Sequence, residues 1–252
     1  MKTNHAKERM LAGRPALGAA VGLGSPVAAE LYSQQGWDFV LIDGQHGNWS
    51  LDTTTAAIRS VLAGTAAPMV RVQKNDFFAI GSLLDRGALG VVVPMVHTRQ
   101  EAEAAAFAAR FPPIGGRSQG GFGTAILGVA EYERWANEQV FLAIQIESER
   151  AVEHAEDLLS TPGVDGCWIG PADLAASLGV DLGTDSGRRR HEEAIMHVLE
   201  ACRRTAKAPG IAGGTRGERW LEKGFLFVTC AGDIPALRDT GTQTLAALQR
   251  YR

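Results

Sequence analysis

The stretch that decides the fold reads Phe141-Leu142-Ala143-Ile144-Gln145-Ile146-Glu147, a short apolar run that ends on a carboxylate. A second run, Val164-Asp165-Gly166-Cys167-Trp168-Ile169-Gly170-Pro171-Ala172-Asp173, ends on another. If the two runs are consecutive parallel strands of a barrel, Glu147 and Asp173 emerge at the same rim, where carboxylates can converge on one hard cation. The pair therefore predicts a metal-dependent enzyme.

The same alternation of apolar runs and amphipathic stretches extends along the chain. Strand-like runs occur at Leu17–Val21, Phe39–Ile42, Met69–Val72, Gly90–Val93, Phe141–Ile146, Gly166–Ile169, Gly210–Ala212 and Phe225–Thr229. Helical patterns occur at Pro26–Gln35, Leu51–Leu62, Asp76–Arg86, Arg99–Arg110, Glu149–Leu159, Arg188–Lys207, Arg216–Lys223 and Ile234–Arg250. Eight such units predict an α/β fold, a TIM (β/α)8 barrel formed by residues 1–252 as one domain. A short helix near Asn4–Ala12 is expected to cover the barrel floor.

Composition and charge exclude several classes of protein. The 252 residues are 45% hydrophobic, and 25 basic against 28 acidic residues give a net charge of −3. The dense basic run Arg188-Arg189-Arg190 is interpreted as the solvated start of a helix, so no nucleic-acid partner is expected.

The chain also carries no targeting signal that the sequence reveals. Its start, Met1-Lys2-Thr3-Asn4-His5-Ala6-Lys7-Glu8-Arg9, is charged, and no apolar run approaches the roughly 20 residues of a membrane span. Cys167, Cys202 and Cys230 are widely spaced and form no CxxC pair, which indicates neither a disulfide framework nor a zinc site. We expect a cytoplasmic protein with no membrane partner.

Polar residues follow the second and third predicted strands. His46 stands three residues after Asp43 on the turn that leaves the second strand, where an imidazole would project into the barrel mouth as a base. A strand-end aspartate is equally typical of a turn or a cap. Arg71 interrupts an apolar strand, which favours either an anionic substrate or a structural ion pair within the barrel.

Two further strands bring polar groups to the predicted rim. Gln145 and Glu147 are two positions apart and therefore share one face of the fifth strand. The segment 170–174 is typical of a tight turn that enters a short helix, whose free N–H groups can receive an anion.

Other segments leave two interpretations open. The Gly- and Pro-rich stretch 111–123 is either a mobile loop over the rim or a surface excursion between helices. The stretch 213–217 has the composition of a phosphate-cradling loop, but a flexible strand-to-helix turn is favoured because no GxGxxG or Walker spacing is present. By position alone Asp85 is structural and His97 is a wall residue.

Six motifs, in this order, resemble the HpcH/HpaI aldolase family, the class II metal-dependent pyruvate aldolases of the phosphoenolpyruvate-binding barrel superfamily. They are Asp43-Gly44-Gln45-His46, Val70-Arg71-Val72, Leu84-Asp85-Arg86-Gly87-Ala88, Val93-Pro94-Met95-Val96, Gln145-Ile146-Glu147 and Gly170-Pro171-Ala172-Asp173-Leu174. The resemblance runs from Gly13 to Asp233, most of the chain, and the ordered set is more specific than any member alone.

The resemblance implies a reversible aldol reaction. Pyruvate, as its enolate, adds to an aldehyde, and in reverse a 4-hydroxy-2-oxoacid is cleaved, with oxaloacetate decarboxylation as a side activity. It also implies a divalent cation, Mg²⁺, Mn²⁺ or Co²⁺, held by Glu147 and Asp173. A homo-oligomer is implied too, in the family a hexamer built as a trimer of dimers, with the C-terminal helix offering an apolar stripe to a partner.

By the same resemblance, each site residue receives a role. His46 is the general base, Asp43 helps to orient it, and Asp85 of a neighbouring subunit raises its basicity. Arg71 stabilises the enolate. The implied substrate contacts are Gln145, Gly170, Pro171, Ala172 and Gln45, with the backbone of Ala172 and Asp173 receiving the pyruvate carboxylate.

The chain departs from the family pattern at two places. Gln45 stands where most members have Glu, which removes one negative charge beside His46. The loop 116–120 lacks the Arg-Gly followed by an Ala-Arg-Ala run that is usual in the family. Two alternatives to an aldolase stay open. One is a citrate-lyase-like CoA-ester lyase, which would need a basic CoA-binding surface that the sequence does not reveal, and the other is a non-catalytic barrel that keeps the metal site.

Overall fold

Eight parallel strands form a barrel in the computed structural model, which describes residues 3–252; Met1 and Lys2 of the charged N-terminal segment lie outside the described residues. The strands are β1 Ala16–Val21, β2 Phe39–Asp43, β3 Ala67–Arg71, β4 Gly90–Val93, β5 Phe141–Gln145, β6 Gly166–Trp168, β7 Gly210–Ala212 and β8 Phe227–Gly232. Neighbours follow the order β6-β5-β4-β3-β2-β1-β8-β7. Parallel bridges from Gly166 to Ala208 and from Ile169 to Ile211 link β6 to the β7 segment, so the predicted barrel is confirmed.

Helices surround the strands. They are α1 His5–Leu11, α2 Pro26–Ser33, α3 Leu51–Ala63, α4 Phe77–Asp85, α5 Arg99–Ala109, α6 Gly121–Leu127, α7 Tyr132–Gln139, α8 Glu149–Glu153, α9 Ala155–Leu159, α10 Pro171–Ser177, α11 Asp185–Thr205, α12 Gly217–Lys223 and α13 Asp233–Ala247. Local chemistry sets several starts: Ser25 and Asp76 accept backbone N–H bonds as N-caps, and Ser50 forms a capping box with Thr53.

Some boundaries differ from the sequence predictions. The predicted helix Glu149–Leu159 is divided at His154 into α8 and α9. Helices α6 and α7 were not predicted, because the Gly- and Pro-rich stretch before them has no helical pattern to announce them. The last strand begins two residues later than predicted, since the N–H groups of Leu226 and Phe227 both bond the Pro209 carbonyl where the chain enters the barrel.

Aromatic rings fill the lower part of the barrel. The ring centroids of Phe39 and Phe227 lie 4.5 Å apart, and those of Phe141 and Phe227 lie 5.1 Å apart. Gly18 faces the Phe39 ring so closely that a Cβ atom would overlap it. The aromatic layer is therefore a packed plug, and it leaves polar chemistry to the opposite end.

Helix α1 closes this floor with buried polar groups. Asn4 is fully buried; its side-chain amide donates to the carbonyls of Leu89 (2.8 Å) and Gln139 (3.0 Å), and its oxygen caps α1 at Lys7 N. Lys7 Nζ lies 3.1 Å from Asp165 Oδ1, and Arg110, which is 2% exposed, bonds the other Asp165 oxygen. The expected floor-covering helix is therefore present and held by a closed ionic cluster.

The Gly- and Pro-rich stretch lies at the floor end of its own barrel. It follows α5, whose last turn leads to Arg110, and Arg117 within it donates to Asp85 Oδ1 at 2.6 Å, at the end of α4. The interpretation of this stretch as a lid over the rim of its own barrel is therefore wrong, and the surface excursion between helices is correct.

Residues 3–252 include no helix whose length and hydropathy would let it traverse a lipid bilayer.

Candidate active site at the carboxyl end of the barrel

The polar residues singled out in the sequence gather where the strands end. Asp43 is the last residue of β2, Arg71 is the last of β3, and Gln145 is the last of β5. Glu147 follows β5 by two positions, and Gly170 follows β6 by two positions. Because the carboxyl ends of parallel strands meet at one rim, the barrel brings these groups to a common mouth.

Arg71 and Asp43 form a two-pronged ion pair across neighbouring strands. They are register partners; Arg71 Nε donates to Asp43 Oδ1 at 2.8 Å and Nη2 donates to Oδ2 at 2.6 Å. Burial alone would raise the pKa of Asp43, but the bonds and charge of Arg71 outweigh it and hold that pKa below its ordinary value. Nη1 of Arg71 has no partner among residues 3–252, so the guanidinium is held rigidly with one nitrogen available.

Asp43 also shapes the turn that carries His46. Its Oδ1 accepts the backbone N–H groups of Gln45 and His46, both at 3.2 Å. The imidazole of His46 is exposed at the rim and makes no hydrogen bond within residues 3–252, whereas Oε1 of Gln45 is buried there without a partner. Asp43 therefore positions the backbone of His46 and the side chain of Arg71, and it does not bond the imidazole.

Glu147 is a buried carboxylate that accepts hydrogen bonds from neutral groups and forms no ion pair within residues 3–252. It is 3% exposed, its Oε1 accepts the Met95 N–H at 3.3 Å, and its Oε2 accepts a short bond from Gln145 Nε2. Burial raises the pKa of Glu147, and the nearby charge of Asp173 raises it further, although the Met95 N–H acts in the other direction. A buried acid next to a second acid is a place where a cation would be stabilised.

Asp173 shares the space in front of Glu147. It lies in the first turn of α10, with Gly170 as N-cap and Pro171 at the first helical position. A Cβ atom on Gly170 would lie 2.7 Å from Glu147 Oε2, 3.0 Å from Gln145 Nε2 and 3.6 Å from Asp173 Oδ2. The two carboxylates therefore converge on a small space that only glycine keeps open.

The donor set fits a hard divalent cation. Both carboxylates offer oxygen ligands, and Gln145, which is 1% exposed, keeps its Oε1 buried without a partner. Residues 3–252 contain no group of three or more His, Cys, Asp or Glu side chains arranged to hold a metal. One or two carboxylates with substrate or water oxygens are the usual protein contribution to Mg²⁺ sites, so the pair suffices for such an ion.

Two residues in the mouth were missed from the sequence. Trp168 lies in β6 as the register partner of Gln145; the guanidinium carbon of Arg71 sits 5.1 Å from its ring centroid, and its Nε1 is buried without a partner. Met95 adopts φ 58°, a left-handed conformation that is unusual outside glycine, and from it directs its N–H at Glu147. Periodicity alone carries no signal for either, because both read as apolar core.

Asp85 lies at the opposite end of its own barrel. Helix α4 ends there, just before the chain enters β4, and its carboxylate pairs with Arg117. Within one chain, Asp85 and His46 are therefore at opposite ends of the strands, and any contact between them would join two copies. His97 is a hydrogen-bonded wall residue, with Nδ1 2.8 Å from Ser148 Oγ.

A cavity of about 660 Å³ opens beside these groups. Asp43 and Trp168 form one side of it, small residues of β1, β7 and β8 form another, among them Ala20, Ala212 and Ala231, and the first half of α13 forms much of the rest. The volume is in the range of small-molecule sites.

Comparison with known proteins gives three findings. The model of the HpcH/HpaI aldolase/citrate lyase family matches residues 21–233. A 4-hydroxy-2-oxo-heptane-1,7-dioate aldolase from Klebsiella pneumoniae is 37% identical, covering 97% of this chain and 93% of that protein. The crystal structure of a HpcH/HpaI aldolase/citrate lyase family protein from Burkholderia cenocepacia is 33% identical with a TM-score of 0.89, covering 98% of this chain and all of that one.

A more distant structure shares the fold alone. The citrate lyase beta subunit from M. tuberculosis, complexed with oxaloacetate and magnesium, is 13% identical with a TM-score of 0.56, covering 88% of this chain and 93% of that one.

Proposed function

The chain belongs to the HpcH/HpaI aldolase/citrate lyase family, and we propose that it is a carbon–carbon lyase that cleaves 4-hydroxy-2-oxoacids into pyruvate and an aldehyde, and joins them in reverse. The observation that carries the proposal is the convergence of Glu147 and Asp173 over Gly170, beside a guanidinium held by Asp43. The Klebsiella relative of 37% identity is an aldolase, whereas the citrate lyase subunit shares only the fold, which favours aldol cleavage over thioester cleavage.

Glu147 and Asp173 are the residues that would hold a divalent cation. Such an ion polarises the ketone of a 2-oxoacid and makes its methyl proton removable near neutral pH. Mg²⁺, Mn²⁺ and Co²⁺ all suit an oxygen donor set of this kind.

The chain's own side chains supply the remaining steps. His46 takes the methyl proton, because its imidazole is exposed at the rim and free of internal bonds. Arg71 presents Nη1 to the enolate oxygen, and the bidentate grip of Asp43 keeps that nitrogen from turning away. Gln145 holds Glu147 in place and contacts the substrate, while the first turn of α10 receives the carboxylate of pyruvate.

The chain acts as a homo-oligomer in this proposal. Helix α13 extends from the barrel with nearly every residue after Asp233 exposed, including Leu237 (64%) and Leu245 (43%). A solvated helix of this composition is stabilised when a second copy covers it, and a second copy is also the route by which Asp85 can approach His46. We place the enzyme in the cytoplasm.

Proton exchange into pyruvate tests the proposal without knowledge of the aldehyde. Pyruvate in D₂O with the protein and Mg²⁺, Mn²⁺ or Co²⁺ is expected to lose its methyl proton signal in NMR, and oxaloacetate is expected to lose CO₂ because that step gives the same enolate. A panel of aldehydes then identifies the acceptor. Absence of exchange with every cation would refute the proposal and favour a non-catalytic barrel.

A further inference from the structure

Two basic segments, 188–189 and 216–219, line one pocket. The sequence predicts a solvated helix start for the first and a flexible strand-to-helix turn leading into the second. Arg188 and Arg189 of the first turn of α11 meet Arg216, from the turn after β7, and Arg219 of α12. With His191 they line a cavity of about 600 Å³, here called the arginine pocket. The run 188–190 lies near the start of α11 and is exposed, as the sequence indicated, and its first two members also line this pocket.

The charges in the arginine pocket are not balanced from within. Its two acids are already paired: Asp185 bonds Arg188, and Glu192 bonds Arg219 and lies 2.8 Å from Lys223 Nζ. The side chains of Arg189 and Arg216 make no hydrogen bond or ion pair within residues 3–252. The pocket thus holds two free guanidinium groups, although the chain as a whole carries a charge of −3.

We propose that the arginine pocket binds a phosphate-bearing small anion. Two unpaired cations held on separate elements around one concavity repel each other, and an anion between them removes that repulsion. Guanidinium groups bond phosphate oxygens in a forked geometry, and a phosphate dianion can accept from several arginines at once, whereas a single carboxylate satisfies fewer. Arg216 also lies in the turn after the seventh strand, one of the two loops that commonly bind phosphate in this type of barrel.

The arginine pocket shares a wall with the active site. Pro171 and Ala172, at the start of α10, line it, and His191 Nε2 donates to the Pro171 carbonyl at 2.8 Å. Pro171 directly follows Gly170, which faces Glu147. The phosphate therefore belongs either to the far end of an aldehyde substrate, a source that depends on the proposed function, or to a separate effector.

Calorimetry with inorganic phosphate and with glycerol 3-phosphate tests the pocket directly, at constant ionic strength. The R189Q/R216Q variant removes two exposed guanidinium groups that make no hydrogen bond or ion pair within residues 3–252, so it is expected to fold normally and to bind each probe about tenfold or more weakly than wild type. The matched control is R14Q/R150Q, which removes two exposed arginines without partners elsewhere and is expected to bind like wild type. Equal affinity in wild type and R189Q/R216Q would overturn the proposal.

Turnover with two aldehydes distinguishes the sources of the phosphate. If it is part of the substrate, R189Q/R216Q loses kcat/KM for pyruvate addition to glyceraldehyde 3-phosphate but not to glyceraldehyde. If it is a separate effector, the ratio of the two kcat/KM values stays unchanged while phosphate binding still falls, and either result supports the pocket. Proton exchange into pyruvate is independent of the pocket, so failure of the phosphate site leaves the proposed function standing.

Discussion

The polar network beneath α1 at the floor and the polar residues of the rim differ in how completely their buried groups are bonded. At the floor, Asn4 uses its donors and its acceptor, and Lys7, Arg110 and Asp165 neutralise one another. At the rim, buried polar atoms of Gln45, Gln145 and Trp168 have no partner. Since an unsatisfied buried polar atom costs free energy, the rim carries a cost that the network beneath α1 avoids. Elsewhere at the floor end, Nε and Nη1 of Arg117 also lack a partner, so the contrast holds for this network and not for the whole floor.

The difference assigns the two ends to different tasks. A closed polar network lowers the free energy of the folded chain and has nothing left to offer a ligand. An open network is less stable alone but ready for the oxygen atoms and the cation that complete it. Substitutions at the rim should therefore change chemistry more than stability, and those at the floor should do the reverse.

The largest expected effect is on catalysis at the rim. His46→Ala should slow proton exchange into pyruvate by about 10²- to 10⁴-fold, because a positioned base is lost, while metal affinity by calorimetry and the urea midpoint stay close to wild type. His197→Ala, an exposed histidine on α11, is the control and should leave exchange unchanged. Normal exchange in His46→Ala would remove this residue from its proposed role.

The next effect is on stability at the floor. Asp165→Asn leaves Lys7 and Arg110 buried without their shared anion and should lower the free energy of unfolding by about 3–5 kcal/mol in urea titrations. Asp157→Asn breaks a solvent-exposed pair with Arg99 and should cost at most about 1 kcal/mol. Equal losses in the two variants would contradict the closed floor network.

The substitution Glu147→Gln is expected to leave stability at least equal to wild type without metal and to leave it below wild type with metal. Without metal the variant should melt no lower than wild type at neutral pH, since it removes a buried charge. With a cation at about 100 times its dissociation constant, wild type should gain about 2.7 kcal/mol and the variant should not. A metal-dependent rise in the melting temperature of the variant equal to that of wild type would exclude Glu147 as a ligand.

Without metal, the difference in melting temperature between Glu147→Gln and wild type should also depend on pH. The pKa of Glu147 is raised in the folded state, so the folded protein binds its proton more tightly and this stabilisation is complete below the ordinary value of 4.5. It is lost as pH rises through the folded pKa. The melting advantage of Glu147→Gln over wild type should therefore grow as pH rises from 4.5 and then level off, and a constant difference across that range would contradict the raised pKa.

The smallest effects come from single polar groups. Trp168→Phe removes a buried N–H that has no partner, so the free energy of unfolding should change by less than about 1 kcal/mol. Asn4→Ala removes an amide whose bonds are all made, so about 1–3 kcal/mol should be lost. A larger loss for Trp168→Phe than for Asn4→Ala in denaturant titrations would end the contrast between rim and floor.

Much of the fold followed from local pattern. Short β-branched runs between amphipathic stretches predicted all eight strands, and the structure confirms each of them. The family and the aldolase class were also predicted correctly from six ordered motifs. The sequence left open whether residues 111–123 lie over the rim or between helices, because composition reveals that they are irregular and says nothing about the end of the barrel at which they lie.

The sequence by itself determined which polar residues lie at the rim. The alternation of strand and helix makes all strands parallel, so the residues that follow each strand are at the same end of the barrel. Only the tertiary structure decided how these residues pair. It paired Asp43 with Arg71, left the imidazole of His46 unbonded, and brought Glu147 and Asp173 together in front of Gly170. It also placed arginines from two separate segments around one pocket. Such contacts depend on register and on the curvature of the closed barrel, and neither property is encoded in the spacing of residues along one segment.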